Sequence, residues 1–111
     1  MATTRTLTPA PVRRAMRTMG DDLATWRRLR RLTSAQVADR AGVSRKTVEN
    51  VERGRGSTME SVLRVARALG VLDQVTGAFD PYATDVGRLR SEEALPRRVR
   101  PAARRQSSDD D

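Results

Sequence analysis

The side chains of this sequence that can take part in chemistry are mostly guanidinium groups and carboxylates, with one Lys, one Tyr and several hydroxyls, and the chain contains no Cys and no His. This composition excludes disulfides, Cys/His zinc sites, thiol nucleophiles and imidazole bases. The adjacent carboxylates Asp21/Asp22 and Glu92/Glu93 point apart on a helix, so neither pair forms a catalytic dyad. We therefore expect no enzyme activity, no metal and no cofactor.

Positive charge is concentrated in the first two thirds of the chain. The 111 residues contain 22 Lys and Arg against 14 Asp and Glu, which gives a net charge of +8. Residues 1–20 and 21–75 both carry an excess of bases, whereas acids and bases balance in residues 76–111. Basic domains suit polyanions because Lys and Arg release counterions from phosphates. A nucleic acid partner is one explanation of this charge, and a surface that is merely rich in arginine is the other.

The chain is long enough for one small domain with an aliphatic core, since 37% of its residues are hydrophobic and 3% aromatic. No apolar run approaches the roughly 18 residues that a membrane span needs. The N-terminal residues also lack the apolar segment of a secretory signal. We expect a cytoplasmic protein without membrane contact.

Apolar residues at helical spacing predict five helices between residues 21 and 78 and no strand. The first is expected from about Asp22 to Arg31, with acids at its positive N-terminal end. Before it, two prolines favour a flexible basic arm over residues 1–20, although residues 12–19 have the spacing of a short helix.

The later helices have recognisable capping residues at their N-termini. Thr33 with Gln36, and Ser57 with Glu60, have the spacing of a capping box. Ser44 is expected to cap the helix that lies between these two boxes. Glycines that follow the helices provide their C-terminal stops.

The segment Thr33 to Arg53 contains two short helices joined by a tight turn with Gly42 at its centre. A small residue before the glycine and a serine cap after it are typical of a helix-turn-helix motif. The small side chains of Ala38 and Ala41 allow the helices to cross at close range, and Gly42 allows the reversal. In such a motif the second helix enters the major groove of DNA with its N-terminal side chains at the base edges.

Three segments follow the pattern of a known family: Leu23-x-x-Trp26-Arg27-x-x-Arg30-x-Leu32-Thr33, Val37-Ala38-x-x-Ala41-Gly42-Val43-Ser44-x-x-Thr47-Val48-x-x-Val51-Glu52-x-Gly54 and Met59-Glu60-x-Val62-Leu63-x-Val65-Ala66-x-Ala68-Leu69-Gly70-Val71. Through these segments the sequence resembles the XRE or lambda-repressor-like (Cro/C1-type) family of helix-turn-helix regulators over roughly residues 20–76. The resemblance implies an all-α, five-helix lambda-repressor-like DNA-binding domain over residues 21–76. It also implies a homodimer that binds double-stranded operator DNA with an inverted repeat.

The resemblance implies which side chains touch the bases. They lie on the exposed first turns of the second helix of the motif, the recognition helix. Arg and Lys suit guanine O6 and N7 there, and Asn suits adenine N6 and N7. The expected base-edge residues are Arg45, Lys46, Thr47 and Asn50.

Phosphate contacts are expected around the same two helices, with a solvated side chain as the alternative at each arginine. The family often has Gln at the position of Ser34, so a hydroxyl would have to make that contact here. Arg13 and Arg14 in the arm are expected to follow the backbone or a minor groove. The expected phosphate-contact residues are Thr33, Ser34, Arg40, Ser44, Arg53 and Arg55.

Three other residues of the family pattern have structural interpretations. Arg27 and Glu52 match a family pair that bridges the first and third helices. Trp26 falls on the apolar face of the first helix, so we expect it in the core rather than stacked on a base.

The C-terminal third has more apolar side chains than it can bury alone. We expect residues 77–96 to form a dimerisation or partner-binding segment, with capping of the domain as the alternative, and residues 97–111 to form a disordered tail. The apolar residues in question are Leu72, Val75, Phe79, Tyr82, Val86, Leu89 and Leu95.

The segment from Phe79 to Arg100 is similar to the ends of HipB-type antitoxins, which are small XRE-type regulators that accompany HipA-type kinase toxins. This resemblance implies a repressor that autoregulates its operon and binds a kinase toxin. Two alternatives stay open: a stand-alone XRE-type regulator, and a protein-interaction adaptor with an unused helix-turn-helix.

Overall fold

The structure is a computed structural model, which describes residues 7–94. These residues form six α-helices and one short 3₁₀ turn, and they contain no strand. The predicted all-α class is therefore confirmed, and five helices fall at least partly between residues 21 and 78 as expected. The helices are α1 (Ala10–Leu29), α2 (Ser34–Ala41), α3 (Arg45–Glu52), α4 (Met59–Leu69), α5 (Leu72–Gly77) and α6 (Asp85–Ala94), with the 3₁₀ turn at Pro81–Ala83.

The first helix is one continuous segment of 20 residues. The prediction of a flexible arm over residues 1–20 is therefore wrong from the tenth residue onward, and residues 1–6 lie outside the described part. Pro9 is the N-cap and Pro11 lies in the first turn, where the missing amide N–H leaves no hydrogen bond unmade. The next two amides both donate to the Pro9 carbonyl, at 3.0 and 3.1 Å. The prolines begin the helix instead of preventing it.

Gly20 lies within α1 without interrupting it, because its missing side chain lets α1 approach α3. A Cβ atom at this position would lie 2.5 Å from the carbonyl oxygen of Val51 and 2.6 Å from that of Glu52. Gly20 is buried at this crossing. Gly20 weakens α1 locally, but it also determines how closely α1 and α3 pack.

Hydroxyl side chains cap α2 and α3 as predicted. Thr33 accepts a hydrogen bond from the Gln36 amide at 3.1 Å, and the Thr33 amide donates to the Gln36 side chain at 2.9 Å. This reciprocal pair is the expected capping box. Ser44 accepts from the Thr47 amide at 3.0 Å and so caps α3.

The cap of α4 is one residue later than predicted. Thr58, and not Ser57, has the extended backbone of an N-cap, and its hydroxyl accepts from the Ser61 amide at 3.1 Å. The predicted capping box of Ser57 and Glu60 is wrong because α4 begins at Met59, so the amide within reach belongs to Ser61.

The core is small and aliphatic. Trp26 packs at its edge, with the Arg30 guanidinium 5.4 Å from the ring centroid. Among the described residues no polar or charged side chain is buried, so hydrophobic packing alone fills the centre. The buried cluster is Leu23, Val37, Ala38, Ala41, Val48, Val51, Val65, Ala66, Leu69 and Val71.

The chain divides into two compact units between Val75 and Thr76. The first unit contains α1 to α4 and the start of α5. In the second unit α6 packs on the 3₁₀ turn, and Arg88 donates to the Tyr82 carbonyl at 2.7 Å. The structure describes α6 as far as residue 94, so the predicted tail over residues 97–111 lies outside the described part. No helix in the described part is long and apolar enough to cross a membrane.

Candidate nucleic-acid interface

The turn between α2 and α3 has the predicted geometry. Gly42 adopts a left-handed conformation with φ of 72°, and its amide donates to the Ala38 carbonyl at 2.9 Å. Ala38 and Ala41 are buried beneath it. Gly42 thus ends α2 and reverses the chain into α3, which completes a helix-turn-helix.

Arg64 of α4 supports this turn through a contact that was not predicted from the sequence. Its Nη1 donates to the Ala41 carbonyl at 3.2 Å, and its Nε pairs with Glu60 at 3.0 Å. A cation is favourable at the C-terminal end of α2, where backbone carbonyls have no helical partner. The signal in the sequence was the spacing of four residues between Glu60 and Arg64, which predicts the ion pair but not its position beside α2.

The two faces of α3 differ in the way that a recognition helix requires. Val48 and Val51 are buried in the core. The base-edge candidates lie on the remaining surface: Arg45 and Lys46 are exposed, whereas Thr47 and Asn50 are partly buried. The helix is therefore anchored on one side and offers donors and acceptors on the other.

Thr47 is the most constrained of the four base-edge candidates. Its hydroxyl is 2.9 Å from that of Ser44, with which it shares a hydrogen bond, and Ser44 also accepts from the Thr47 amide. Both hydroxyls are thus engaged in capping α3. Without breaking this bond, Thr47 can offer its methyl group and the rest of its hydroxyl capacity, which is two lone pairs if it donates to Ser44, or one lone pair and its O–H if Ser44 donates.

Arg45 lies along α3 and pairs with Glu49, with Nε and Oε2 3.6 Å apart. Both side chains are accessible, at 69% and 36% exposure. A pair with this separation and exposure is weak, so Arg45 can exchange it for a base or a phosphate at little cost. Lys46 has no ion pair within residues 7–94.

The phosphate-contact candidates fall into two groups. Thr33 and Ser34 stand at the start of α2, and Ser44 stands at the start of α3, where free amides and the helix dipole favour anions. Arg40, Arg53 and Arg55 are exposed arginines at or beyond the ends of the same helices.

The chain after α3 is fastened to the end of that helix. The Arg55 amide donates to the Asn50 carbonyl at 2.9 Å, and the Gly54 amide donates to the Val51 carbonyl at 3.1 Å. Gly54 takes a left-handed φ of 70°. The backbone of Arg55, a phosphate candidate, is thereby fixed relative to the backbone of Asn50, a base-edge candidate.

Arg13 and Arg14 are exposed on the first turns of α1, and not on a flexible arm. Sequence reasoning missed Arg17, which lies one turn further along. A Cβ atom at Gly54 would lie 2.8 Å from the Arg17 Cα, so Arg17 passes directly beside the end of α3. The signal that could have identified it is the spacing of four between Arg13 and Arg17.

Arg27 and Glu52 connect α1 to the end of α3, as their structural interpretation requires. Two hydrogen bonds join them, Nε to Oε2 at 2.8 Å and Nη2 to Oε1 at 3.1 Å, and Nη1 also donates to the Leu32 carbonyl at 3.1 Å. The hydrogen bonds to Glu52 raise the pKa of Arg27 above its usual value, against the opposing effect of burial.

The comparison with family models agrees with this geometry, whereas the comparison with curated proteins found no match. Residues 18–79, more than half of the chain, match the family model described as a helix-turn-helix domain. The matched range contains α2, α3, the turn between them and the later helices α4 and α5. The chain therefore belongs to the helix-turn-helix domain family, whose fold is that of a DNA-binding regulator.

Proposed function

We propose that this protein is a sequence-specific transcriptional repressor that reads its operator with the first turns of α3. The observation that carries the proposal is the division of α3 into two faces. Val48 and Val51 anchor the helix in the core, while Arg45 and Lys46 are exposed beside Asn50. A fixed helix with exposed donors at its N-terminal end is suited to the major groove.

Specificity and positioning come from different side chains in this mechanism. Arg45 and Lys46 donate to guanine O6 and N7, and Asn50 bonds adenine through N6 and N7. The hydroxyls at the starts of α2 and α3 and the exposed arginines at their ends bind phosphates, which sets the register of α3 along the duplex.

We also propose that the repressor acts as a homodimer on an inverted repeat. The second unit exposes large apolar side chains: 82% of Phe79, 67% of Val86 and 66% of Leu89 are accessible. Leu72 and Val75, by contrast, pack against the core of the first unit. Exposed apolar groups of this size in one short segment are typical of an association surface, and a second copy would place two recognition helices on two half-sites.

The experiment that tests the function starts from in vitro selection of duplexes by the full-length protein from a random-sequence library. A repressor should enrich a defined sequence, and binding to that duplex should fall steeply with salt. Arg45→Ala should then cost about 1–3 kcal/mol on the selected duplex and relax the preference at one base pair. Uniform weakening on all duplexes would make Arg45 a phosphate contact. Absence of both enrichment and salt dependence would favour the protein-interaction adaptor.

The second candidate function is that of an antitoxin, in which the repressor also binds a HipA-type kinase toxin. The exposed Phe79 and Leu89 favour it, as does the similarity of residues 79–100 to HipB-type ends, although residues 95–100 lie outside the described part. Co-purification of a kinase-like protein from the native host, abolished by Leu89→Ser with DNA binding retained, would support it. Recovery of a homodimer without such a protein would leave the stand-alone regulator.

A further inference from the structure

The middle of α1 lies against the C-terminal end of α3, and two glycines permit this approach. A Cβ atom at Gly20 would lie 2.5 Å from the Val51 carbonyl oxygen and 2.6 Å from that of Glu52. A Cβ atom at Gly54 would lie 2.8 Å from the Cα of Arg17. Neither position has room for a side chain, so the backbone of α1 is held directly against the end of α3.

This packing gathers arginines from separate parts of the sequence. Arg17 lies beside Gly54, which Arg53 and Arg55 flank in the chain. Arg13 is one turn before Arg17 and on the same face of α1. We name Arg13, Arg17, Arg53 and Arg55 the basic cluster.

The basic cluster has no acidic counterpart of its own. All four side chains are exposed, and none forms an ion pair with a carboxylate within residues 7–94. The Arg13 guanidinium does donate to the Thr8 carbonyl, which is a neutral partner. Two carboxylates border the cluster. Glu52 is already bonded to Arg27, and Asp21, which lies one turn beyond Arg17 in α1, is exposed and forms no ion pair with it. Four positive charges that are brought together and that no carboxylate neutralises through an ion pair are suited to a polyanion.

The position of the cluster relates it to the groove that α3 enters. An eight-residue helix such as α3 is about 12 Å long, and the major groove is about 12 Å wide. When the first turn of α3 meets the base edges, its opposite end therefore lies near the phosphates that border the groove.

We propose that the basic cluster binds the phosphodiester backbone at the border of this groove, and that α1 presents Arg13 and Arg17 as part of a fixed helix. This inference rests on the proposed function and adds a binding site to it. A fixed site loses less conformational entropy on binding than a flexible arm would, because its backbone is already ordered.

The main test compares two charge-matched double variants of the full-length protein. Arg13→Gln/Arg17→Gln removes two members of the cluster, and Arg67→Gln/Arg90→Gln removes two exposed arginines of α4 and α6 as a control. Binding is measured by fluorescence anisotropy at several salt concentrations. The probes are a labelled 30-base-pair duplex that carries the selected sequence and a scrambled duplex of the same length.

A plot of log affinity against log salt has a negative slope. The magnitude of this slope should decrease by about 0.9 for each lost phosphate contact, or by about 1.8 for the cluster variant, on both duplexes. The control should keep the wild-type slope. If Arg17 served only to stabilise the end of α3, the urea midpoint would fall and the salt slope would not. That result would overturn the inference.

A third variant separates a fixed helix from a flexible arm. Ala15→Pro interrupts α1 between Arg13 and Arg17 and leaves every charge in the chain. If α1 presents Arg13 as part of a fixed helix, Ala15→Pro should reduce the salt slope as much as Arg13→Gln alone does. A wild-type slope in the Ala15→Pro variant would overturn the proposal. If the wild type shows no salt-dependent binding, the proposed function fails with the inference. If the wild type binds and the cluster variant matches the control, the inference alone fails.

Discussion

Arg27 and Glu52 connect the first helix to the end of the recognition helix through two hydrogen bonds, Nε to Oε2 at 2.8 Å and Nη2 to Oε1 at 3.1 Å. Their side chains are only 17% and 12% exposed. The third guanidinium nitrogen donates to the Leu32 carbonyl just before α2. One side chain therefore fixes α1, the start of the helix-turn-helix and the end of α3 with respect to one another.

Removal of this pair should lower stability measurably. Glu52→Gln leaves a largely buried guanidinium without its anion, and we expect a loss of about 1.5–3 kcal/mol in the free energy of unfolding. The measurement is the urea midpoint with an unchanged denaturant slope. The matched control is Glu60→Gln, which breaks an exposed pair with Arg64 and should cost less than about 1 kcal/mol. Equal losses in the two variants would contradict the structural role of Arg27.

The dependence of this contribution on pH follows from the raised pKa of Arg27. A cation whose pKa is higher in the folded protein stabilises the fold at every pH below its unfolded value, and the stabilisation is lost only when the pH rises through the folded value. Arg27 should therefore contribute undiminished across the whole range in which DNA binding is measured.

Gly20→Ala should destabilise the protein, although alanine is the better helix former. The substitution gains about 1 kcal/mol in helix propensity, but its Cβ would lie 2.5 Å from the Val51 carbonyl oxygen and would force α1 away from α3. We expect a net loss of about 1–3 kcal/mol, measured by urea unfolding. Gly77→Ala is the control, because nothing lies within 4 Å of a Cβ at that position. A more stable Gly20→Ala variant would show that the helices can separate freely.

The local features of the fold were predictable from the sequence, whereas the close approaches were not. The Thr33 cap and the left-handed Gly42 depend on neighbours within a few residues, and these neighbours are visible in the sequence. Gly20 and Gly54 owe their roles to backbone atoms that are more than 30 residues away in the sequence. These atoms come close only where α1 packs against the end of α3. For the same reason the position of Arg17 beside the end of α3 could not be predicted, because it follows from the packing of α1.

The prediction of a flexible arm was wrong for a related reason. Prolines disfavour the interior of a helix, and this rule led to the wrong prediction for residues 10–20. At the N-cap and in the first turn the same residues are compatible with helix, because the amides there have no partner to lose. Once the backbone after Pro9 turns into helix, the apolar spacing of residues 12–19 continues without a break into the segment that packs on α3.

Glu49→Gln should strengthen DNA binding. Glu49 pairs with Arg45 at 3.6 Å and places a negative charge on the helix that we propose enters the groove. Its removal frees Arg45 and reduces repulsion from phosphates, so we expect about a two- to fivefold gain in affinity, the equivalent of 0.5–1 kcal/mol. Anisotropy on the selected duplex measures it. Glu60→Gln removes the same charge from α4 and should have a smaller effect, because salt screens distant charges. Weaker binding by Glu49→Gln would instead make Glu49 itself a base contact.

Thr58→Ala and Ser57→Ala form a pair of variants that tests which residue begins α4. The Thr58 hydroxyl accepts from the Ser61 amide at 3.1 Å and lies 3.0 Å from the Ser61 hydroxyl. Loss of an N-cap hydroxyl costs about 1 kcal/mol, so Thr58→Ala should lower the urea midpoint accordingly. Ser57 is exposed and precedes the cap, and its substitution should change stability by less than about 0.5 kcal/mol. The opposite order would mean that α4 begins at the residue that its sequence pattern favours, with the capping box of Ser57 and Glu60 formed in solution.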